Sequence, residues 1–367
     1  MKKKVRVGVA GLGFGANFAK IYQYHSNSEL FAICDTNAKV LNKWGDKFGI
    51  KRRFISYQDM LALNELDAIH IVTPIPDHPK MTVDAFLAGK HVACTVPMAT
   101  NIEDCNMIVE VKRKAKKVYM MMETSVYTRE FLYMKNLYTT GKLGKVQFIR
   151  GAHLQNMYGW PEYWKGLPPM YYATHAVSPI LALLDKEAEW VVCYGSGRIN
   201  ESLIKYHNSP YAVETAHIHV KDSDVVAEVT RELYDVSRQY IESFDVYAEK
   251  LSFEWNLLED ELPVLHTGGE TAKRVQVPDT ADMLPKEIAQ FTKEGVYDED
   301  NPHRSFNQGK GYHGGSHPHL VNEFVNSIVE KRDSYIDAEK AANWTCTGIC
   351  AHESAMQDGK RITIPSF

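Results

Sequence analysis

The chain has 367 residues, 44% of them apolar and 24% charged, and its 42 Lys and Arg against 46 Asp and Glu give a formal net charge of −4. This length predicts two domains, and the near balance of charge argues against binding to nucleic acid or to a membrane surface through a basic face. The six cysteines are scattered without a C-x-x-C pair, which favours a reducing compartment and a cytoplasmic protein.

The first half of the sequence alternates short apolar runs with helical patterns. Short buried strands that alternate with helices are typical of a doubly wound parallel sheet of the Rossmann type. The predicted strands are 5–9, 30–34, 68–72, 91–94 and 118–122, and the predicted helices are 16–24, 38–48, 81–88 and 102–115.

From residue 146 onward, longer strands follow one another with few helices between them. This pattern favours an α+β domain with an open, mostly antiparallel sheet. We therefore predict one domain over 1–123 and a second, for substrate binding and oligomerisation, over 124–367, with a long loop at 298–315. The predicted strands are 146–155, 190–199, 212–220, 225–233, 241–248 and 251–255, and the predicted helices are 319–330 and 338–356.

A glycine-rich turn, Gly11-Leu12-Gly13-Phe14-Gly15-Ala16, follows the first predicted strand. In a G-x-G-x-x-A turn, Gly11 permits the sharp bend, Gly13 lets the backbone approach a pyrophosphate, and Ala16 is small enough for close helix–strand packing. Asp35 ends the second strand, 35 − 11 = 24 residues after the first glycine. A carboxylate there can bind both ribose hydroxyls and would repel a 2′-phosphate. The pattern predicts NAD rather than NADP, and the alternative is that Asp35 only closes a turn.

Two further segments carry a family resemblance: Thr73-Pro74 with His78, and the run Gly89-Lys90-His91-Val92-Ala93-Cys94-Thr95-Val96-Pro97. Together with the glycine-rich turn, they resemble the Gfo/Idh/MocA family of sugar and inositol oxidoreductases over nearly the whole chain. The resemblance implies a Rossmann domain that binds NAD, followed by a domain built on an open antiparallel sheet. It also implies that these residues contact the cofactor: Gly11, Gly13, Phe14, Gly15, Ala16, Asp35, Thr73, Pro74, His78, Thr95, Val96, Pro97 and Glu123.

The sequence departs from the usual family pattern at two catalytic positions. Family members usually carry Glu-Lys-Pro after strand five, with the Lys reaching the substrate hydroxyl, whereas this chain has Thr95-Val96-Pro97. The usual Asp four positions before the active-site His is also absent, because Tyr171 stands four positions before His175.

These departures occur together with motifs that resemble one branch of the family. The motifs are 121–124 with Tyr127, 172–179, and His313-Gly314-Gly315. The branch contains NAD-dependent glycosidases of the α-N-acetylgalactosaminidase type and glycoside 3-dehydrogenases. For the glycosidases, the resemblance implies a redox cycle. NAD oxidises carbon 3 of the sugar, the ketone acidifies the proton on carbon 2, the aglycone leaves carbon 1, water adds, and the ketone is reduced again.

Oxidation of a secondary alcohol needs a group that accepts the hydroxyl proton, and histidine exchanges protons near neutral pH. His175 is therefore the candidate base, and the alternative is a hydrogen-bonded core histidine. Tyr171 and Tyr172 are candidates for an acid, a donor or a packing wall. His153 and Gln155 are two apart, so on a strand they share one face, which could meet the sugar or could be a solvated face.

Further substrate contacts are predicted from aromatic residues and from one histidine. Trp160 and Trp164 offer faces on which sugar C–H groups stack. The alternative is that the two tryptophans only anchor the loop that carries them. The branch resemblance adds Tyr127 and His313.

Four histidines raise the possibility of a metal site: His303, His313, His317 and His319. Zinc needs three or four convergent ligands. Because His317 and His319 flank a proline where a loop meets a helix, their side chains need not converge, and we predict no metal.

Three functions follow as hypotheses. The first is an NAD-dependent enzyme that oxidises a ring hydroxyl of a sugar or glycoside, either as a glycoside 3-dehydrogenase or within a redox-neutral glycosidase cycle. The second is an ordinary sugar or polyol dehydrogenase with net NADH production, and the third is a non-catalytic NAD-binding regulator, favoured only by Val96. Apolar strand residues predict a homodimer or homotetramer through the second sheet. These residues are Val225, Val226, Phe244, Val246, Tyr247, Phe253 and Trp255.

Overall fold

The computed structural model describes residues 3–238, 240–258, 261–269, 271–293 and 312–367. It divides into two compact units. Unit 1 comprises Met1–Ala99, Glu103–Arg129 and Asp279–Ala341, and unit 2 comprises Thr100–Ile102, Glu130–Pro278 and Ala342–Phe367. The predicted domain limits, 1–123 and 124–367, stay a prediction.

Unit 1 contains a six-stranded sheet in which all neighbouring strands are parallel. The strands are β1 (Val5–Ala10), β2 (Ser28–Cys34), β3 (Arg53–Phe54), β4 (Ala68–Ile71), β5 (His91–Cys94) and β6 (Tyr119–Met121). Their order in the sheet is β3-β2-β1-β4-β5-β6. The central strands are buried on both faces, which is why they appear in the sequence as continuous apolar runs.

Unit 2 contains a nine-stranded, mostly antiparallel sheet. Its strands are β7 (Val146–Gln155), β8 (Ala188–Ser196), β9 (Val213–Val220), β10 (Val226–Glu232), β11 (Tyr240–Ala248), β12 (Leu251–Glu254), β13 (Val264–Thr267), β14 (Lys273–Arg274) and β15 (Ile362–Thr363). The order is β14-β13-β12-β11-β7-β10-β9-β8-β15, and only β7 and β10 run parallel. The predicted fold class, a parallel Rossmann sheet plus an open antiparallel sheet, is confirmed.

The helices are α1 (Leu12–Tyr24), α2 (Ala38–Phe48), α3 (Tyr57–Leu61), α4 (His78–Leu87), α5 (Ile102–Ala115), α6 (Arg129–Thr139), α7 (Thr174–Leu184), α8 (Glu201–His207), α9 (Lys286–Ala289), α10 (His317–Glu330) and α11 (Ala338–Ala355). Helices α4 and α10 begin earlier than predicted, since Pro79 and Pro318 occupy their first turns, where proline is tolerated. Helix α7 was not predicted. It is entirely buried, so it lacks the alternation of exposed polar and buried apolar residues that marks a surface helix.

Most of the predicted 298–315 loop cannot be compared with the structure. Residues 298–311 lie outside the described residues. Residues Tyr312–Gly315 form a short helical turn in which His313 has a φ of 42°.

Candidate active site

The glycine-rich turn of unit 1 leads directly from β1 into α1. Gly11 has a φ of 88°, and a Cβ built on it would lie 2.3 Å from the carbonyl oxygen of Val72, so only glycine fits. Gly15 also approaches its neighbours closely, because its Cβ would lie 3.1 Å from Val9 and 3.2 Å from Val72. Close packing of α1 on the sheet, which the sequence assigned to Ala16 alone, therefore involves Gly15 as well.

Asp35 follows β2 and contacts the start of α1. Its Oδ2 accepts the Leu12 N–H over 2.8 Å, and its Oδ1 accepts the Asn37 N–H over 2.8 Å. The carboxylate is thus fixed beside the glycine-rich turn and also closes a turn, so the two interpretations of Asp35 are compatible. Each carboxylate oxygen has a second lone pair that can accept a ribose hydroxyl. The turn and the carboxylate fit a dinucleotide.

His78 brings together the two segments of unit 1 that carry the family resemblance. It is buried, with Nδ1 2.8 Å from the carbonyl oxygen of Pro97 and Nε2 2.9 Å from that of Thr73. Thr95 Oγ1 lies 3.5 Å from the same Nε2, and Val96 precedes a cis peptide bond to Pro97. Burial lowers the pKa of His78, whereas its bonds to the two carbonyls raise it. In this environment His78 fixes the backbone of both segments.

Glu123 and Tyr127 lie in the segment that follows β6. Glu123 is fully buried, and its Oε1 accepts the Ser125 N–H over 2.9 Å, which begins a helical turn at Thr124–Tyr127. Tyr127 is half-buried and stacks on His319 with ring centroids 6.3 Å apart.

The histidines considered for a metal do not all converge. His313 Nδ1 and His317 Nε2 are 3.1 Å apart, and the edge of Phe14 contacts both rings. His319 instead bonds Thr280 Oγ1 through Nε2, over 2.8 Å. His303 lies outside the described residues.

Unit 2 contains a compact group of ionisable side chains that we call the polar cluster: His153, Tyr172, His175, Tyr240 and Glu242. The Tyr172 hydroxyl and His175 Nε2 are hydrogen-bonded over 3.1 Å, and the Tyr240 hydroxyl donates to Glu242 Oε1. That Oε1 lies 3.7 Å from His175 Nε2 and 3.8 Å from His153 Nε2. Two imidazoles, two phenols and a carboxylate are therefore brought within reach of one another.

Strand pairing and one glycine build this cluster. His153 on β7 lies directly opposite Glu242 on β11, and Tyr240 lies opposite Gln155, so one face carries all four side chains. A Cβ on Gly151, on the same face of β7, would lie 2.1 Å from the carbonyl oxygen of Ala176. The missing side chain lets the first turn of α7 lie against the strand, and that turn carries His175.

Arg231 on β10 supports the cluster from the neighbouring strand. It is fully buried and donates to the backbone carbonyls of Tyr172 and His153 over 2.7 and 3.0 Å, and to Gln155 Oε1 over 3.2 Å. Burial lowers the pKa of Arg231 to about 10, whereas Tyr172 and Glu242 act in the opposite direction. Arg231 thus holds the backbone on both sides of the cluster.

Tyr171 lies apart from the polar cluster. Its ring contacts His352 edge-on at 5.0 Å, and His352 Nδ1 bonds the buried Glu214 over 2.6 Å. Glu214 also accepts the Met170 N–H over 2.8 Å. Burial raises the pKa of Tyr171, with Glu214 acting in the same direction. Of the two adjacent tyrosines, the structure brings only Tyr172 to His175.

The aromatic loop of unit 2 reaches the cluster through Trp164. The Trp164 ring packs edge-on against Tyr172 with centroids 4.8 Å apart, and Trp160 packs on Trp164 at 5.9 Å. The Tyr234 hydroxyl donates to the Trp164 carbonyl over 2.7 Å, which fixes the loop. Trp164 is buried and Trp160 is half-buried.

Sequence reasoning missed Glu242, Tyr240 and Arg231. Tyr240 and Glu242 are two residues apart at the start of β11, the same spacing that pointed to His153 and Gln155, but the predicted strand began only at residue 241. Only the pairing of β7 with β11 shows that the two pairs face each other, and the sequence does not indicate which strands are neighbours.

His153, His175 and Glu242 are the one group in the described ranges with three convergent ligand atoms, which all lie within 4.8 Å of one another. Two imidazoles and a carboxylate are a donor set that divalent metals accept. The prediction of no metal considered a different set of histidines, and it stays a prediction. Among the described helices, none has the length and the hydropathy needed to cross a bilayer.

Comparison with known proteins gives one family match and a set of curated relatives. Residues 5–123 match the Gfo/Idh/MocA model of an oxidoreductase family with an NAD-binding Rossmann fold. Over 198 residues, the chain is 29% identical to a glycosyl hydrolase family 109 protein of Shewanella baltica and 28% identical to an alpha-N-acetylgalactosaminidase of Shewanella oneidensis. Each alignment covers 48% of this chain and 43% of the relative, so less than half the length of these curated relatives is matched.

Solved structures resemble the chain over almost all of its length. A levoglucosan dehydrogenase in complex with NADH and levoglucosan has a TM-score of 0.79 at 17% identity, covering 99% of this chain and 100% of that one. The scyllo-inositol dehydrogenase of Lactobacillus casei has a TM-score of 0.72 at 20% identity, covering 99% of both chains. At these identities the likeness shows the fold alone. The family match at residues 5–123 confirms NAD as the cofactor.

Proposed function

Because residues 5–123 belong to the Gfo/Idh/MocA family of NAD-binding oxidoreductases, we propose that the chain oxidises a ring hydroxyl, at carbon 3, of a sugar or glycoside. The observation that carries this proposal is the hydrogen-bonded pair of Tyr172 and His175 within the polar cluster. A non-catalytic regulator has no need for buried acid–base groups that face one another.

The residues of unit 1 would hold the cofactor. Gly11 and Gly15 let the backbone and α1 lie close to the sheet, and Asp35 would accept the ribose hydroxyls. NAD, when bound, supplies a hydride acceptor for the carbon that carries the hydroxyl. The thirteen cofactor contacts implied by the family resemblance remain proposals.

The residues of unit 2 would accept the proton of the substrate hydroxyl. We assign the role of base to His175, which takes the hydroxyl proton through the Tyr172 hydroxyl: Tyr172 accepts the substrate's proton and passes its own to His175 Nε2. The usual lysine is replaced by Val96, so no ammonium at that position stabilises a developing alkoxide. We therefore propose that the polar cluster carries the proton transfer and that His153, Gln155, Trp160 and Trp164 contact the sugar. The substrate contacts of Tyr127 and His313 stay predictions. Tyr171 is retained only as a fallback for the base.

A redox-neutral glycosidase cycle is the second candidate function. The names of the curated relatives support it, since one is an alpha-N-acetylgalactosaminidase. In such a cycle, oxidation at carbon 3 is followed by loss of the aglycone and by reduction, so free NADH does not accumulate.

One assay separates the functions. Purified protein with NAD is offered a panel of sugars and nitrophenyl glycosides, while NADH absorbance and aglycone release are followed together. A dehydrogenase accumulates NADH, a glycosidase cycle releases aglycone without net NADH, and a regulator does neither. Absence of both signals across the panel, with NAD shown to bind, would reject the proposal.

The cytoplasmic location and the homo-oligomer stay predictions. Four residues that suggested an interface, Val225, Phe244, Val246 and Phe253, are already buried within the chain, so a sheet-mediated contact would have to use others. Val226 is 36% exposed and remains available for such a contact. Light scattering at micromolar concentration tests the oligomer, and a monomer would reject it.

A further inference from the structure

We propose that Glu242 is a second catalytic base, which removes the proton from carbon 2 of the 3-keto sugar formed by the oxidation. This inference rests on the proposed function and extends it to a carbon-acid step. It would make the polar cluster suited to elimination of a glycoside's aglycone as well as to oxidation of an alcohol.

The cluster contains two hydrogen-bonded pairs, each formed by one tyrosine and one candidate base. Tyr172 bonds His175 Nε2 over 3.1 Å, whereas Tyr240 donates to Glu242 Oε1. Glu242 Oε1 lies 3.7 Å from His175 Nε2, so the two hydrogen-bonded pairs are neighbours. Alcohol oxidation uses one proton acceptor, and this arrangement supplies a second.

Glu242 is assigned as the second base because its side chain is more exposed than those of the two histidines. Its side chain is 11% exposed, against 4% for His175 and 1% for His153, so it is the member of this trio most open to a ligand. A base that acts on a C–H bond must touch that hydrogen directly.

A hydrogen-bond donor, a guanidinium and two imidazoles surround Glu242. Tyr240 donates a hydrogen bond to it, and burial raises the pKa of Tyr240 well above its ordinary value, so this phenol keeps its proton. The guanidinium of Arg231 carries a positive charge on the adjacent part of the sheet. The imidazoles of His153 and His175 lie 3.8 and 3.7 Å from Oε1. The Tyr240 hydroxyl thus holds Oε1 of Glu242 beside the two imidazoles.

The proposed step removes one proton from the sugar and breaks its bond to the aglycone. Carbon 2 of the 3-keto glycoside gives its proton to Glu242, and the C–H electron pair forms a double bond between carbons 1 and 2. The bond between carbon 1 and the aglycone oxygen breaks, and the aglycone departs with that electron pair and takes a proton from water. The oxidising equivalent was supplied earlier by NAD, when the ketone was made.

The test supplies the ketone ready-made, so that no hydride transfer is needed. Methyl 3-oxo-hexopyranosides of the gluco and galacto configurations are incubated with the protein in heavy water, and NMR follows the loss of the carbon-2 proton against a protein-free control. We expect wild-type protein to accelerate exchange, and Glu242→Gln to lower that rate by about 10²-fold or more. Glu242→Asp, which keeps a carboxylate, should retain part of the rate.

Glu228→Gln is the matched control. Glu228 lies on β10, three residues from Arg231 and therefore on the opposite face of the same sheet, where it pairs with Arg150. The Glu228→Gln variant should exchange the carbon-2 proton at the wild-type rate. The melting temperature of each variant shows whether the chain folds.

Two outcomes would overturn the inference: no acceleration by the wild type, or exchange by folded Glu242→Gln within about threefold of wild type. Should Glu242→Gln fail to fold, Tyr240→Phe serves in its place, with an expected loss of about tenfold from removal of one hydrogen bond to the carboxylate. An unchanged rate in Tyr240→Phe would then count against the assignment. Reduction of NAD by the parent glycosides is measured separately. If NAD is reduced but the carbon-2 proton does not exchange, the proposed oxidation stands and the role of Glu242 is refuted. If the proton exchanges but NAD is not reduced, the proposed oxidation is refuted and the role of Glu242 stands.

Discussion

The two units use buried histidines in different ways. In unit 1, His78 faces two backbone carbonyls and His70 faces a tyrosine hydroxyl. In unit 2, His153 and His175 lie beside the carboxylate of Glu242. Burial lowers the pKa of His78 and of His70, and a neutral imidazole donates one hydrogen bond, so His78 can donate to one of its two carbonyls. A histidine beside a carboxylate and a phenol has groups with which to exchange protons, which is why we propose that the proton transfer uses unit 2.

Removal of His175 is expected to have the largest effect on activity. His175→Ala should lower the rate of sugar oxidation by 10² to 10⁴, because it removes the proposed proton acceptor. NAD binding, measured by fluorescence titration, should be unchanged, since this residue lies in unit 2 and outside the nucleotide motif. Near-normal turnover would move the role to Tyr172, His153 or Tyr171.

Removal of Asp35, in unit 1, is expected to weaken the binding of NAD, whereas removal of His175 lowers the rate of oxidation. Hydrogen bonds to a charged group contribute about 1.5–3 kcal/mol, so Asp35→Ala should weaken NAD binding by about 10- to 150-fold. The preference for NAD over NADP should also fall, because the carboxylate no longer repels the 2′-phosphate. Calorimetry with both nucleotides measures this, and unchanged NAD affinity would refute the role of Asp35.

A substitution at Gly151 tests how the cluster is built. The new Cβ of Gly151→Ala would lie 2.1 Å from the Ala176 carbonyl oxygen, so α7 must shift. We expect a loss of about 1–3 kcal/mol in the free energy of unfolding and a lower kcat. Gly268→Ala is the control, since nothing lies within 4 Å of its Cβ. Equal denaturant midpoints for the two variants would contradict the proposed packing.

The pH dependence of stability tests the neutral histidines of unit 1. Burial lowers the pKa of His70 from 6.5 to about 3. Because the folded-state pKa is depressed, the unfolded chain takes up the proton first, and stability present above pH 6.5 is lost as the pH falls. Between pH 7 and 5 the loss attributable to His70 is about 2 kcal/mol. His70→Asn cannot be protonated, so its unfolding midpoint should fall less between pH 7 and 5 than that of wild type. Equal falls would show that His70 is not held neutral.

Removal of metal is expected to have the smallest effect. If His153, His175 and Glu242 exchange protons, dialysis against a chelator should leave the activity unchanged, and elemental analysis should find less than one metal ion per chain. A stoichiometric divalent metal whose loss abolishes activity would instead assign the three side chains as ligands and would remove the basis for treating His175 as a base.

Much of the fold was accessible from the sequence because local pattern determines it. The strands of unit 1 are apolar runs between helices, and the glycine-rich turn marks where β1 ends. Helix α7 was missed because a fully buried helix has no polar face to set its period. The candidate site was predicted in part: His153, Tyr172 and His175 were named, whereas Glu242, Tyr240 and Arg231 depend on β7 pairing with β11 and β10. Such pairing joins His153 to Arg231, 78 positions away, and to Glu242, 89 positions away, and a single sequence carries no local signal for it.

The most direct test of the account is the fate of the hydrogen on carbon 3. A responsive glycoside is prepared with deuterium at that carbon and mixed with NAD-loaded wild-type and His175→Ala protein in a single turnover, and the nucleotide is then recovered for mass spectrometry. The account predicts that one deuterium appears in the reduced nucleotide with wild-type protein, and about 10²-fold more slowly or less with His175→Ala. A reduced nucleotide without the label, or label transfer at equal rates in the two proteins, would contradict it.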